Sequence, residues 1–349
     1  MRFYGNQHRY YCGIDLHARM MYVCILEQSG AVIVHRNLPT TREAFEGVIG
    51  PFREDIVVCV ECIFSWYWIA DLCSELGVTF VLGHALYMKA IHGGKTKNDK
   101  IDSQKIAALL RGGMLPMAHA YPQEHRSTRD LLRRRMYLMH QQSELLAHIQ
   151  NTNTQYNLPG LEKRIGSPSN RTTLAEHFEE PMVRTSIEAD IAVLDRLHEV
   201  LLKIERTVLA EARESDPVAL QLLRSIPGVG KILSLVILYE TEDVKRFAKV
   251  GNFISYARLV KCSRESAGKK SGARNSKIGN AHLKWAFGEA AVLFLKDHQA
   301  AKDWHEKLVG HYGKAKALSI MAQKLGRTVY FMLKRKEPFD SKRFFAQEV

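Results

Sequence analysis

Ile56-Val-Val-Cys-Val-Glu-Cys62 is an apolar, β-branched run that reads as a buried strand, broken near its end by one acid, Glu61. A carboxylate in such a strand is costly to bury unless it serves a purpose. Upstream, residues 10–16, 20–27 and 31–38 read as three short strands with a turn at Gln28-Ser-Gly30, the pattern of an antiparallel meander, and a helix is expected over about 41–50. Downstream come an aromatic helix around 65–76, a fifth strand from Val78 to Leu82, and a helix from about 99 to 112.

Three meandering strands followed by alternating helices and strands is the order of ribonuclease-H-like α/β folds, in which the first and fourth strands are neighbours. Asp15, near the end of the first strand, then converges with Glu61, and Asp99 and Asp102 share one face at the start of the next helix. Four carboxylates around one spot repel unless a cation sits among them, and hard oxygen ligands suit Mg²⁺ or Mn²⁺. Taken one at a time, each acid reads as a surface or capping residue, Asp99 above all as a helix cap. His17, two residues beyond Asp15, shares its strand face and reads as a second-shell or packing residue rather than a ligand.

The rest of the chain reads as helical. Apolar residues recur at three- and four-residue steps over 124–150 and 186–213, as a coiled-coil-like pair, an antiparallel hairpin arm or two helices of a common core. Pro159, Gly160, Gly166 and Pro168 mark a linker between them. Asp216-Pro217 opens a last, mainly α domain, giving expected boundaries of 1–122, 123–215 and 216–349. Within it, Ile226-Pro-Gly-Val-Gly230 followed by Lys231 has the form of a helix-hairpin-helix turn. There Pro227, Gly228, Gly230 and Lys231 would hold a DNA phosphate without reading sequence, or else form a plain interhelical turn.

With 50 Lys+Arg against 37 Asp+Glu the chain carries +13, which favours a polyanionic partner. The charge is uneven: between Arg258 and Lys284 stand eight Lys/Arg and one acid, Glu265. Arg264, Lys269, Lys270, Arg274 and Lys277 are the DNA-binding candidates of this stretch, and Arg126, Arg129, Arg133, Arg134 and Arg135 the candidates for RNA or DNA along the arm. At least one of the three consecutive arginines is expected only to be solvated or salt-bridged. No signal peptide or membrane-length apolar run is visible, so a cytoplasmic protein is expected. Six cysteines in apolar surroundings read as reduced thiols, and Cys59-Val-Glu-Cys62 is not read as a zinc or redox pair.

Gly13-Ile-Asp-Leu-His17, Val60-Glu61, Lys97-Asn-Asp-Lys-Ile-Asp102, Ile226-Pro-Gly-Val-Gly230, Ser266-Ala-Gly-Lys269 and Lys277-Ile-Gly-Asn280, in that order over nearly the whole chain, resemble the insertion-sequence-110 transposases and their Piv and MooV invertase relatives. The resemblance implies a RuvC-like domain whose DEDD metal ligands fall on Asp15, Glu61, Asp99 and Asp102, and a C-terminal transposase domain whose nucleophile falls on Ser266. Ala267 stands where the family commonly has glycine, which keeps Ser263 and Ser271 as alternatives. It further implies donor and target DNA as substrates, a structured non-coding guide (bridge) RNA as partner, and a homo-oligomer, dimer or tetramer. From the residues alone, a serine in a basic segment with no evident base nearby fits either a metal-assisted nucleophile or a phosphate-gripping side chain. The alternatives to a recombinase are therefore a nuclease that activates water and a non-catalytic nucleic-acid-binding protein.

Overall fold

The computed structural model describes residues 2–91, 98–161, 165–260, 263–266, 268–272 and 278–346. The chain divides into two compact units, 1–123 and 124–349.

In the first unit, β1 (Tyr10–Leu16), β2 (Met20–Glu27), β3 (Val32–Pro39), β4 (Ile56–Glu61) and β5 (Thr79–Gly83) form, among the described residues, a five-stranded sheet in the order β3-β2-β1-β4-β5. The meander β1–β2–β3 is antiparallel, while β1, β4 and β5 run parallel, so the expected adjacency of first and fourth strands is present. Side chains alternate across the sheet. Cys12, Ile14 and Leu16 join Val58 and Val60 on the face covered by α1 (Arg42–Ile49) and α2 (Tyr67–Glu75). Tyr11, Val57, Cys59 and Val81 face α4 (Asp99–Arg111), which sends Ile106, Leu109 and Leu110 into that side. The short α3 (Ala85–Ile91) lies between β5 and α4 in sequence and contributes Met88 to the same face.

One residue governs how close α4 comes. A Cβ added to Gly13 would stand 2.3 Å from the Ala107 nitrogen and 2.4 Å from the Ser103 oxygen, so the helix crosses β1 in contact with its backbone. Any larger side chain at residue 13 would lift the N-terminal turn of α4, and with it Asp99 and Asp102, off the strand.

The second unit opens with α5 (Gln123–Gln155) and α6 (Pro181–Ser215), the pair anticipated from the apolar periodicity. They run antiparallel, since Arg135 pairs with Glu205 and His148 with Asp190. The arm and common-core readings each hold for half of the pair. Ile149, Ile187 and Leu194 build a small separate core with Ile165, Leu174 and Phe178 of the connecting segment. Leu132, Ile204, Val208 and Ala212 instead enter the main C-terminal core. That core is completed by α7 (Pro217–Arg224), α8 (Lys231–Thr241), α9 (Val250–Tyr256), α10 (Ala281–Asp297), α11 (Gln299–Tyr312), α12 (Lys314–Arg335) and α13 (Ser341–Ala346). Residues 233–241 of α8 are all buried, as expected of a helix surrounded by others. No helix among the described residues is long and apolar enough to cross a membrane.

The basic stretch contains a hairpin, β6 (Ser263–Ser266) paired with β7 (Lys269–Gly272). Arg274 and Lys277 of the expected DNA-binding set, and Ala267, lie outside the described residues, as does Lys97 of the Lys97–Asp102 motif.

Candidate metal centre and hairpin segment

Asp15 sits at the C-terminal end of β1, two residues past the Gly13 crossing and therefore on the α4 side of the sheet. The parallel register pairs Gly13 with Cys59 and Ile14 with Val60. Carried one residue further, it sets Asp15 beside Glu61 on that same side. Above them begins α4. Its N-cap is Asn98, whose side chain accepts from Ile101 N at 2.8 Å, so the capping role open to Asp99 belongs to its neighbour. Asp99 and Asp102 occupy the first helical turn, where backbone N–H groups favour negative charge. His35 of β3 holds this turn to the sheet through an N–H to the Lys100 carbonyl at 2.9 Å.

Asp15 and Asp99, 84 residues apart in sequence, come together with His17: one oxygen of each acid and one ring nitrogen lie within 4.8 Å of one another. His17 Nε2 stands 3.5 Å from Asp15 Oδ1 and 3.5 Å from Asp99 Oδ1. Glu61 and Asp102 are outside this closest group, and Asp102 Oδ1 accepts from Lys105 Nζ at 3.3 Å. The strand end is half-buried at Asp15 and open at Asp99, whose side chain is 60% exposed. A group of hard oxygen donors with one imidazole, open on one side, fits a divalent cation that also reaches a phosphate oxygen. The sequence leaves His17 as a residue that supports the ligands or packs beside them; the α4 crossing brings Asp99 to it. Cys59 is buried and Cys62 exposed, and neither belongs to the cluster.

The C-terminal candidates are distributed differently. The hairpin β6–β7 pairs Ser266 with Lys269 and Arg264 with Ser271, with Gly268 in the turn at φ +73°. The segment is tied at its base. Arg258 Nε donates to the Ile278 carbonyl at 3.0 Å, and Asn280 N donates to the Tyr256 carbonyl at 2.6 Å. Gly279, at φ +94°, lies where a Cβ would meet that same carbonyl at 2.7 Å.

Asn280 also caps α10 by accepting from His282 N and Leu283 N, and its Nδ2 donates to Glu240 Oε2 at 2.7 Å. Glu240 is buried in α8 and bound on its other sides by two of the arm arginines. Arg133 donates through Nε at 2.7 Å and through Nη2 at 2.9 Å, and Arg129 Nε at 3.1 Å. Burial pushes the Glu240 carboxyl up, but the Arg133 hydrogen bonds, the charges of Arg129 and Arg133, and Asn280 outweigh it and bring it down to about 2. Burial also lowers His282; Glu240 opposes this and Arg133, Arg129 and Arg258 reinforce it, leaving the ring neutral near pH 7.

The other binding candidates are placed as follows. Arg129 and Arg133 are committed to Glu240, Arg135 to Glu205 at 2.8 Å, and Arg126 is buried. Of the five, Arg134 is exposed, with its guanidinium 5.1 Å from the Tyr137 ring centroid. Gly228, expected to let the backbone approach a phosphate, instead approaches α10. It has φ +80°, and a Cβ there would stand 2.5 Å from Phe294 N. Lys231 Nζ pairs with Glu205 Oε2 at 2.8 Å, whereas Pro227 is half-buried and Gly230, the N-cap of α8, is exposed.

Comparison with known proteins points one way. A transposase family model named for its DEDD motif and IS110 matches residues 12–158, and a model described as transposase IS116/IS110/IS902 family matches residues 220–306. A transposase for insertion sequence element IS1111A from Coxiella burnetii is 22% identical over 341 residues, covering 94% of this chain and 90% of the relative. A putative transposase, y4qE, from Sinorhizobium fredii is 24% identical over 263 residues, covering 72% of this chain and 62% of the relative.

Proposed function

We propose that the chain is an insertion-sequence transposase of the IS110 family and that it cuts and rejoins DNA through a serine–phosphate intermediate, with Asp15, Glu61, Asp99 and Asp102 serving a divalent ion, Mg²⁺ or Mn²⁺. The observation that carries the reading is the convergence of Asp15 and Asp99 at the α4 crossing, on a sheet whose strand order is that expected of a RuvC-like domain. When bound, the ion would neutralise phosphate charge and polarise the scissile phosphodiester.

The chain's own residues then have the following roles. Asp15 and Glu61, rigid at the ends of adjacent parallel strands, fix the ligand positions, while Asp99 and Asp102 close over them from the helix. Ser266 Oγ forms a bond to phosphorus as the bond from phosphorus to one sugar oxygen breaks, and that oxygen leaves with a proton. A hydroxyl on a second strand reverses the exchange, so the ester bond energy is conserved and no ATP is needed. Lys269, paired across the hairpin from Ser266, and Arg264 on the same strand supply cations for the phosphate. Donor and target DNA are the substrates. The +13 charge and the exposed Arg134 support a further polyanion, the guide RNA, along the arm. Cutting and rejoining several strands requires several serines, hence an oligomer.

The test is denaturing electrophoresis after reaction with end-labelled donor DNA. Label linked to protein is expected in the wild type and absent from both Ser266→Ala and Asp15→Asn. Cleaved DNA with no linked label, or linkage retained in Ser266→Ala, would replace the serine with water or with Ser263 or Ser271.

A further inference from the structure

We propose that His17 is itself a ligand of the divalent ion, turning the acidic centre into a mixed nitrogen–oxygen site that favours Mn²⁺ over Mg²⁺ and Ca²⁺. The inference rests on the metal-binding reading above and adds to it a residue that the four-carboxylate motif leaves out.

The spacing is the first argument. His17 Nε2 lies at the same 3.5 Å from an oxygen of Asp15 and an oxygen of Asp99. A histidine that simply hydrogen-bonds a carboxylate stands closer, as His8 does in this molecule, with Nδ1 2.8 Å from Asp55 Oδ1. Two ligand atoms each about 2.1 Å from one ion are separated by roughly 3 to 3.5 Å when they subtend a right or tetrahedral angle. The His17 ring is thus too far from either acid for a good hydrogen bond and at the right distance from both to share an ion.

The backbone is the second argument. His17 follows β1 directly; its N–H donates to the Met20 carbonyl at 3.0 Å and its own carbonyl accepts from Thr40 Oγ1 at 2.9 Å. Held on both sides, the residue presents its ring at the open end of the sheet instead of sampling a loop. The side chain remains 54% exposed, which leaves room beside it for a phosphate oxygen and water.

Donor chemistry sets the preference. Mg²⁺ and Ca²⁺ take oxygen donors; imidazole suits first-row transition ions, and Mn²⁺, although it also favours oxygen, begins that series and gains more from a ring nitrogen than Mg²⁺ does. Replacing an imidazole therefore costs Mn²⁺ affinity more than Mg²⁺ affinity.

The experiment uses the full chain with manganese as the probe. Mn²⁺ binding is followed by loss of the free-ion electron paramagnetic resonance signal, with Mg²⁺ as competitor, and nitrogen coupling to bound Mn²⁺ is read by electron spin echo modulation. Expected are a histidine nitrogen coupling in the wild type, its loss in His17→Ala and His17→Gln, and an affinity drop of about tenfold or more for Mn²⁺ against less than about threefold for Mg²⁺. Because the coupling is read on unaltered protein, a variant that folds poorly does not blunt the test. Bound Mn²⁺ without nitrogen coupling overturns the role of His17 and leaves the carboxylate site standing. Failure of the wild type to bind Mn²⁺ or Mg²⁺ overturns the metal reading, and this inference with it.

Discussion

At Glu240 the chain brings its own counter-ions, Arg129 and Arg133 with Asn280, to a carboxylate that is almost wholly buried; at the ends of β1 and β4 it brings more carboxylates. Both arrangements gather groups from distant parts of the sequence. They differ in what completes them. Glu240 is satisfied within its unit, so it serves the fold by tying α5, α8 and the start of α10 together. Asp15 and Asp99 stand with His17 at an open edge, a set of donors that a cation from outside could join. An acid with built-in arginines is a structural element, whereas acids packed toward one another at an open edge are candidates for binding.

The widest separation between the two should appear in activity set against stability. Asp15→Asn removes a proposed metal ligand and lowers the negative charge of the cluster. Transposition is expected to fall on the order of 10³-fold or more, with a thermal midpoint equal to or above that of the wild type. Glu240→Gln should do the reverse to the fold. It leaves two arginines under-compensated, costs about 3 kcal/mol and lowers the midpoint by roughly 10 °C. Transposition assays alongside calorimetry decide the matter, and an Asp15→Asn protein that melts well below the wild type would erase the contrast.

A smaller effect separates them by pH. The Glu240 carboxyl is depressed from its ordinary 4.5 to about 2 in the folded state, so its contribution is complete above pH 4.5 and is lost as the pH falls from there towards 2. A shift of that size is worth about 3 kcal/mol. Denaturant unfolding monitored between pH 6 and pH 3 should show wild-type stability falling through this window, with a shallower slope in Glu240→Gln. Parallel slopes in the two proteins would mean that the arginines do not hold Glu240 ionised.

Much of the first site was legible in the sequence because each part has its own pattern: period-two apolar runs fix the strands, and the meander order makes the first and fourth strands neighbours. What remained hidden was the contact that joins them to α4. Gly13 stands in the motif as one more residue until the helix backbone is found 2.3 Å from where its Cβ would be, and His17 acquires a destination only through that crossing. In the second unit, the arginines of α5 look identical on the page. Which of them turn inward depends on Glu240, 107 residues from Arg133, and no local periodicity encodes that pairing. The hairpin around Ser266 was equally invisible, since Ser, Arg, Glu and Lys give no apolar alternation to read.

The same arginines supply the finest test. Arg133 and Arg134 are adjacent, yet one is bound to buried Glu240 and the other is exposed over Tyr137. Arg134→Ala should change stability by less than about 1 kcal/mol, since an exposed cation–π contact is worth no more. If the arm holds the proposed guide RNA, this substitution should weaken RNA binding and reduce the salt dependence of that binding by about one unit of slope. Arg133→Ala should behave like Glu240→Gln, losing stability first and binding only as a consequence. Filter binding over a range of salt concentrations, with melting of each variant, distinguishes them. An Arg134→Ala protein that binds the RNA with unchanged affinity and slope removes α5 from the nucleic-acid surface, because the neighbouring arginines are already occupied within the protein.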